Sequence, residues 1–185
     1  MKKIFLVLTV VLLIFSCVSC KKEEREILDN VNIEFTDGDS LDFEISVPED
    51  WAIDNTTFEN GEIRHYTAPL DDTKDAFAET VNVACEELGE KTTLEKYVDA
   101  AINGYKTQST QDDFKLLSRE EVKINGQDAV KISFSYTLRS FKIVNDQIFV
   151  MKDNSVYNVF CTSEEEKYDK YAEIFEKALE SFKIN

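Results

Sequence analysis

Histidine is almost missing from this chain: His65 is the only one in 185 residues. One imidazole cannot build a histidine-rich metal site, and any serine or cysteine nucleophile would have to take His65 as its base. No nucleophile-elbow or comparable signature accompanies it. With Arg64 and Tyr66 beside it on what reads as an edge strand, a structural role is expected, and no catalytic residue is assigned. Glycine (5) and proline (2) are also scarce, and the chain holds no internal repeat or low-complexity tract. Basic charge is outnumbered, 21 Lys and Arg against 37 Asp and Glu. No basic patch interleaved with aromatics offsets that surplus, so nucleic acid is excluded as a partner. The commonest meaning of such acidity is solubility. Long apolar runs are limited to Ile4 to Phe15, short of the roughly 20 residues a membrane-spanning helix needs.

That run has another reading. Lys2-Lys3 precede it, small residues follow it, and then comes the charge-rich Lys21-Lys22-Glu23-Glu24. This is the order of a secretory signal. Two cysteines stand at its end, Ser16-Cys17 and Ser19-Cys20. The second lies in the better lipobox, because valine two residues before a modified cysteine suits such a motif more than bulky phenylalanine does. Residues 1–19 are therefore expected to be a lipoprotein signal peptide and Cys20 the lipid attachment site, with Cys17 the alternative. Removing Lys2 and Lys3 leaves 19 basic against 37 acidic residues, a net charge of −18. Buried acyl carbons contribute about 0.8 kcal/mol per methylene, so two or three palmitate-like chains hold a protein at a membrane stably. Lys21, where aspartate would retain some lipoproteins at an inner membrane, favours the outer membrane if the host has two. Residues 20–40 form the lipidated cysteine and a polar tether, whose end-to-end distance is about 25 Å if flexible.

Periodicity begins at residue 41. Phe43, Ile45 and Val47 alternate with polar residues and run into Pro48-Glu49-Asp50-Trp51, predicting a strand, a proline turn and a large buried anchor. Strands follow at Gly61 to Thr67 and about Ala78 to Glu87. Thr92-Thr93-Leu94-Glu95 reads as a capping box opening a helix whose stripe is Leu94, Tyr97, Val98, Ala101, Ile102 and Tyr105. Four strands come next, about Phe114 to Ile124, Gln127 to Leu138, Lys142 to Lys152 and Ser155 to Thr162. Asn125-Gly126 is a type I′ hairpin signal and Asp153-Asn154 a second tight turn. In the second of these strands Val130, Ile132, Phe134, Tyr136 and Leu138 face the core, and Lys131, Ser133, Ser135 and Thr137 a wetter side. Ser163-Glu164-Glu165-Glu166 is expected to cap a final helix with the stripe Tyr168, Tyr171, Phe175, Ala178, Leu179 and Phe182. The class is α+β, a mainly antiparallel sheet of about six strands with helices packed on it.

Four segments, Phe43 to Trp51, Glu79 to Val83, Thr93 to Val98 and the terminal Ser181-Phe182-Lys183-Ile184, resemble PsbP-like domains. This fold is shared by the photosystem II extrinsic subunit, a Ran-binding nuclear transport factor and DcrB-like lipoproteins. The resemblance spans residues 41–185. It implies an α/β/α-type sandwich around an antiparallel sheet, used as a non-enzymatic accessory or binding domain. The metal-site residues of the photosystem subunit find no counterpart set here, so none is carried over.

Other constellations read blandly. Asp37-Gly38-Asp39-Ser40-Leu41-Asp42 imitates a calcium loop, but its fifth position is leucine, its sixth is not glycine and its twelfth is Pro48. Asp71, Asp72 and Asp75 read as a solvated loop. No metal or cofactor is assigned. Cys85 and Cys161 would form a disulfide only if their Cα atoms came within about 7 Å. Both lie near the C-terminal ends of their strands, so antiparallel neighbours would hold them apart and free thiols are favoured. The expected role is a membrane-tethered, non-enzymatic binding or assembly domain of the bacterial envelope, engaging an envelope protein or small-molecule ligand. The alternative is an envelope enzyme with a carboxylate-based, metal-dependent site.

Overall fold

Alternating apolar side chains dominate the middle of the chain, and they assemble there into one antiparallel sheet closed by helices on both faces. The computed structural model describes residues 42–58, 61–88, 92–107 and 112–185. The signal peptide, Cys17, Cys20, the tether and nearly all of the calcium-like segment lie outside the described residues. The elements are β1 (Phe43–Glu44), β2 (Ala52–Phe58), β3 (Gly61–Thr67), β4 (Thr80–Glu87), α1 (Leu94–Thr107), β5 (Asp112–Ile124), β6 (Gln127–Leu138), β7 (Phe141–Lys152), β8 (Ser155–Glu164), α2 (Tyr168–Ser181) and β9 (Lys183–Ile184). Seven strands form the sheet in the order β2-β3-β4-β8-β7-β6-β5, every pair antiparallel.

The layers follow from the two-residue period of a strand. In β7, Phe149 points into the core under α1, while Ile148 and Val150 point into the core under α2. The α1 side joins Tyr97, Val98, Ala101, Ile102 and Tyr105 to Val130, Ile132, Phe134 and Tyr136 of β6. The α2 side joins Tyr171, Phe175, Ala178 and Leu179 to Val81, Val83, Val159 and Cys161. The result is the α/β/α sandwich that the PsbP-like resemblance implies. In β6 the expected contrast holds, with Lys131, Ser133 and Ser135 only half-buried. In β8 residues 156–163 are all buried, because helices cover the sheet's middle from both sides.

Three local expectations are corrected. The strand expected over Phe43 to Val47 is confined to Phe43–Glu44 and pairs with β9 outside the main sheet, while Ala52–Phe58, absent from the expected strands, continues from Trp51 as an edge strand and gives the sheet seven strands instead of about six. Its residues 52–57 are exposed, so no burial pattern marked it. It displaces β3 from the edge. The box expected from Thr92 gives way to a single cap one residue later: the Lys96 amide donates to Thr93 Oγ1 at 3.3 Å and the Tyr97 amide to Thr93 O at 3.0 Å, and residue 96, a lysine, cannot return the second bond of a box. The second box does not form. Ser163 and Glu164 extend β8, a 3₁₀ turn spans Glu165–Lys167, and no side chain caps the N-terminus of α2, since Ser163 is wholly buried in the sheet.

The turns give the domain two distinct ends. Asn125 and Gly126 both take positive φ, +47° and +83°, as a type I′ hairpin requires. The Asn125 amide group donates to Phe182 O at 2.7 Å and Glu180 O at 3.3 Å, tying this turn to the end of α2. β1 pairs with β9, and Lys183 Nζ meets Glu44 Oε1 at 3.0 Å. The chain thus enters the domain beside its own C-terminus. Trp51, 6% exposed, then packs edge-on against Tyr171 with ring centroids 6.1 Å apart.

Candidate functional site

At the other end, the loop between β3 and β4 folds against the junction of β8 and α2. Aspartates shape it. Asp72 Oδ1 accepts the Lys74 amide at 2.6 Å and the Asp75 amide at 3.1 Å, as short acidic side chains do in turns. Asp75 Oδ2 accepts the Asp71 amide at 3.0 Å and Asp75 Oδ1 the Phe77 amide at 3.3 Å. Lys167, from the 3₁₀ turn, places Nζ 2.7 Å from Asp75 Oδ2, 3.4 Å from Glu164 Oε2, 3.7 Å from Asp71 Oδ2 and 3.8 Å from Glu79 Oε1. Lys170 pairs with Asp71 from the outside. A cleft of about 340 Å³ opens here, lined by Asp71, Asp72, Asp75, Phe141, Glu164 and Lys167 among others.

The electrostatics are those of one ammonium shared among carboxylates. Burial alone would raise the Asp75 carboxyl, but hydrogen bonds from Lys167 and the backbone outweigh it and hold the group below its ordinary value. Burial works against the Lys167 charge, yet Asp75, Glu79 and Glu164 together hold the ammonium protonated well beyond the usual lysine range. Glu79 is 1% exposed, and there burial prevails and pushes the carboxyl up. Among the described residues no three His, Cys, Asp or Glu side chains converge to hold a metal ion. The carboxylates of Asp71, Asp75, Glu79 and Glu164 surround the lysine instead.

A second polar group lies inside, on the α1 side of the sheet. Tyr97 donates to Glu86 Oε2 at 2.8 Å, Tyr105 to Gln147 Oε1 at 3.2 Å, and Asn145 to Thr162 Oγ1 at 2.7 Å. His65 belongs to this set: Nδ1 lies 2.8 Å from Asn82 Oδ1 and Nε2 3.1 Å from Thr56 Oγ1. Both ring nitrogens are engaged, which suits a fixed structural imidazole better than a base. Cys85 and Cys161 are free thiols on neighbouring strands. Cys161 faces Val81 and Cys85 faces Tyr157 across the ladder, a stagger of four residues or about 13 Å, beyond disulfide reach.

The sequence flagged Asp71, Asp72 and Asp75, and the structure brings them together. It missed Lys167, whose position just after three glutamates looked like the first turn of a capped helix. It quoted Glu79 only as a strand residue. No short-range pattern announces this cluster, because its members come from two segments about 90 residues apart in the chain, 71–79 and 164–170.

The family described as the serine/threonine kinase C-terminal domain matches residues 36–184. No curated protein matches the sequence. Among solved structures, LpqN, involved in cell envelope biogenesis of Mycobacterium tuberculosis, is 16% identical with a TM-score of 0.60 over 80% of this chain and 87% of its own. A Pseudomonas aeruginosa protein of unknown function, PA94, is 15% identical with a TM-score of 0.58 over 67% of this chain and 83% of its own. PsbP from the cyanobacterium Synechocystis is 14% identical with a TM-score of 0.54 over 77% of this chain and 86% of its own. At these identities the likeness is one of fold, and the fold is PsbP-like. No helix among the described residues is long and apolar enough to cross a membrane.

Proposed function

Since the chain belongs to the family of serine/threonine kinase C-terminal domains and has the PsbP-like fold, we propose that it is a membrane-tethered, non-enzymatic accessory domain of the bacterial envelope. The chain carries no kinase signature of its own: its five glycines form no Gly-x-Gly-x-x-Gly loop, and its one histidine precedes tyrosine, not Arg-Asp. In this reading residues 1–19 direct export, Cys20 carries the lipid, residues 20–40 are the tether, and the domain from 41 to 185 is what is carried. The outer membrane is its location if the host has two. LpqN, with its role in envelope biogenesis, supports the compartment by analogy of fold.

One observation carries the proposal: the chain enters at the end where Phe43 pairs with Ile184, and the charged cleft opens at the other end of β8. Ten residues of strand separate the two by about 30 Å. A lipid anchor ahead of residue 41 would therefore attach at the end opposite the cleft and leave the cleft free to meet an envelope protein or a small ligand. Mass spectrometry of the mature N-terminus tests the anchor and is expected to find Cys20 acylated, with Cys20→Ala releasing the protein. A photo-crosslinker at Asp72 is expected to capture one envelope partner that the same group at Gln127 does not. An unacylated N-terminus, or equal capture from both positions, would overturn the reading.

A further inference from the structure

The β3–β4 loop has the construction of a strap. Its base is closed by the Ala68 amide donating to Glu79 O at 2.8 Å, so both ends leave the sheet together, as in compact loops that move as units. Between those ends residues 69–74 and 76 are exposed, Leu70 at 52%. Phe77 is the one large apolar side chain of the loop that is buried, at 6%, and its ring lies 5.6 Å from Phe141 in the core under α1. Little apolar area thus holds the loop down, which places it at the low-stability end of a fold.

What does hold it is a chain of charge. Lys167 grips Asp75 Oδ2 from the far side of the cleft, and the same carboxylate receives the Asp71 and Phe77 amides. The pull of Lys167 is passed through Asp75 to the backbone that seats the Phe77 ring. Lys167 also reaches Asp71 Oδ2 at 3.7 Å, and a further pair, Lys170 with Asp71, is largely solvent-exposed and screened, so it contributes less. Glu164 and Glu79 stay with the body of the domain and keep Lys167 aimed at the loop.

We propose that residues 69–78, between the paired base residues Ala68 and Glu79, are a strap with Lys167 as its latch, Asp75 as the catch and Phe77 as a plug. The closed state is the one described. In the open state the Lys167–Asp75 pair is broken and the loop lifts about its base. Phe77 then leaves Phe141, and an apolar seat is uncovered at the end of the domain farthest from residue 42. The strap is a property of the domain and does not depend on the lipid anchor.

Native-state hydrogen exchange on the full mature chain tests this, read by NMR at the Asp71, Asp75 and Phe77 amides. In the wild type these amides are expected to exchange through a local opening insensitive to low denaturant, faster than amides of β6 and β8. Lys167→Met is expected to speed the three by about tenfold or more while β6 and β8 change less than about twofold, and Lys167→Arg to restore protection. Loop amides that exchange only at the rate of the β6 and β8 core in the wild type would overturn the proposal, even if the methionine variant fails to fold. So would a variant in which the loop is unchanged, or in which every amide speeds up alike.

Discussion

Tyr97→Phe removes one oxygen from the core and should change the pH dependence of the whole domain. The hydroxyl donates to Glu86 Oε2 at 2.8 Å, and the carboxylate's residue is 5% exposed between the sheet and α1. The ring itself packs against Phe149 at 6.1 Å, a contact phenylalanine keeps. Burial holds the Glu86 carboxyl above its ordinary value, and the Tyr97 hydrogen bond partly offsets that rise. A group that binds its proton more tightly in the folded state stabilises most below the unfolded pKa, and that stability is lost as pH rises through the folded one. The window therefore opens at about pH 4.5 and extends upward.

Magnitudes follow from which form Glu86 takes. At pH 4 the carboxyl is protonated in the folded state, so the variant loses a neutral hydrogen bond, about 1 kcal/mol. Once the pH has risen through the folded pKa the variant loses a bond to a buried charge, about 1.5–3 kcal/mol. Urea denaturation of both proteins at pH 4, 6 and 8 measures the difference. The destabilisation is expected to grow by about 1 kcal/mol or more from pH 4 to pH 8, with the m-value unchanged. A loss that is the same at all three pH values would refute the electrostatic account of this pair and leave only a packing effect.

Two further outcomes are expected. Asn125→Ala should cost about 1–3 kcal/mol in urea denaturation, because it removes the donor that caps the Glu180 and Phe182 carbonyls and forces alanine into a positive φ. Thiol titration of the denatured mature protein, without reductant, should find Cys85 and Cys161 both reactive, and finding neither reactive would contradict the four-residue stagger between them.

The fold was largely legible because most of its elements are two-sided. Val130, Ile132, Phe134 and Tyr136 alternate with Lys131, Ser133 and Ser135, so β6 could be read residue by residue; Asn125-Gly126 announced its turn in the same way. Legibility failed where local pattern and tertiary setting diverge. β2 shows no alternation of burial, since it is exposed along residues 52–57, and only its seven pairs with β3 make it a strand. Ser163-Glu164-Glu165-Glu166 has the composition of a helix cap, yet Val144 and Ile143 pair with Ser163 and Glu164 and draw them into the sheet. The cluster around Lys167 is illegible for a related reason: its distances are set by where β8 ends, which depends on that pairing.

The same divergence explains why the two ends of the domain differ in how firmly they are held. At the entry end, Asn125 caps α2, β1 is laddered to β9, and the Asn185 amide donates to Asp42 O at 3.1 Å, so the chain's arrival is fixed by directional backbone bonds. Backbone bonds of this kind are insensitive to a single charge. At the far end the β3–β4 loop is held chiefly by the Phe77 ring and by ion pairs to Lys167 and Lys170, and an ion network of that sort weakens as soon as any one partner is neutralised. The far end is therefore the one that opens more readily when a charge is lost. Phe77 and Phe141, remote from the entry, are thus the apolar surface that the proposed opening would uncover without unfolding the sheet.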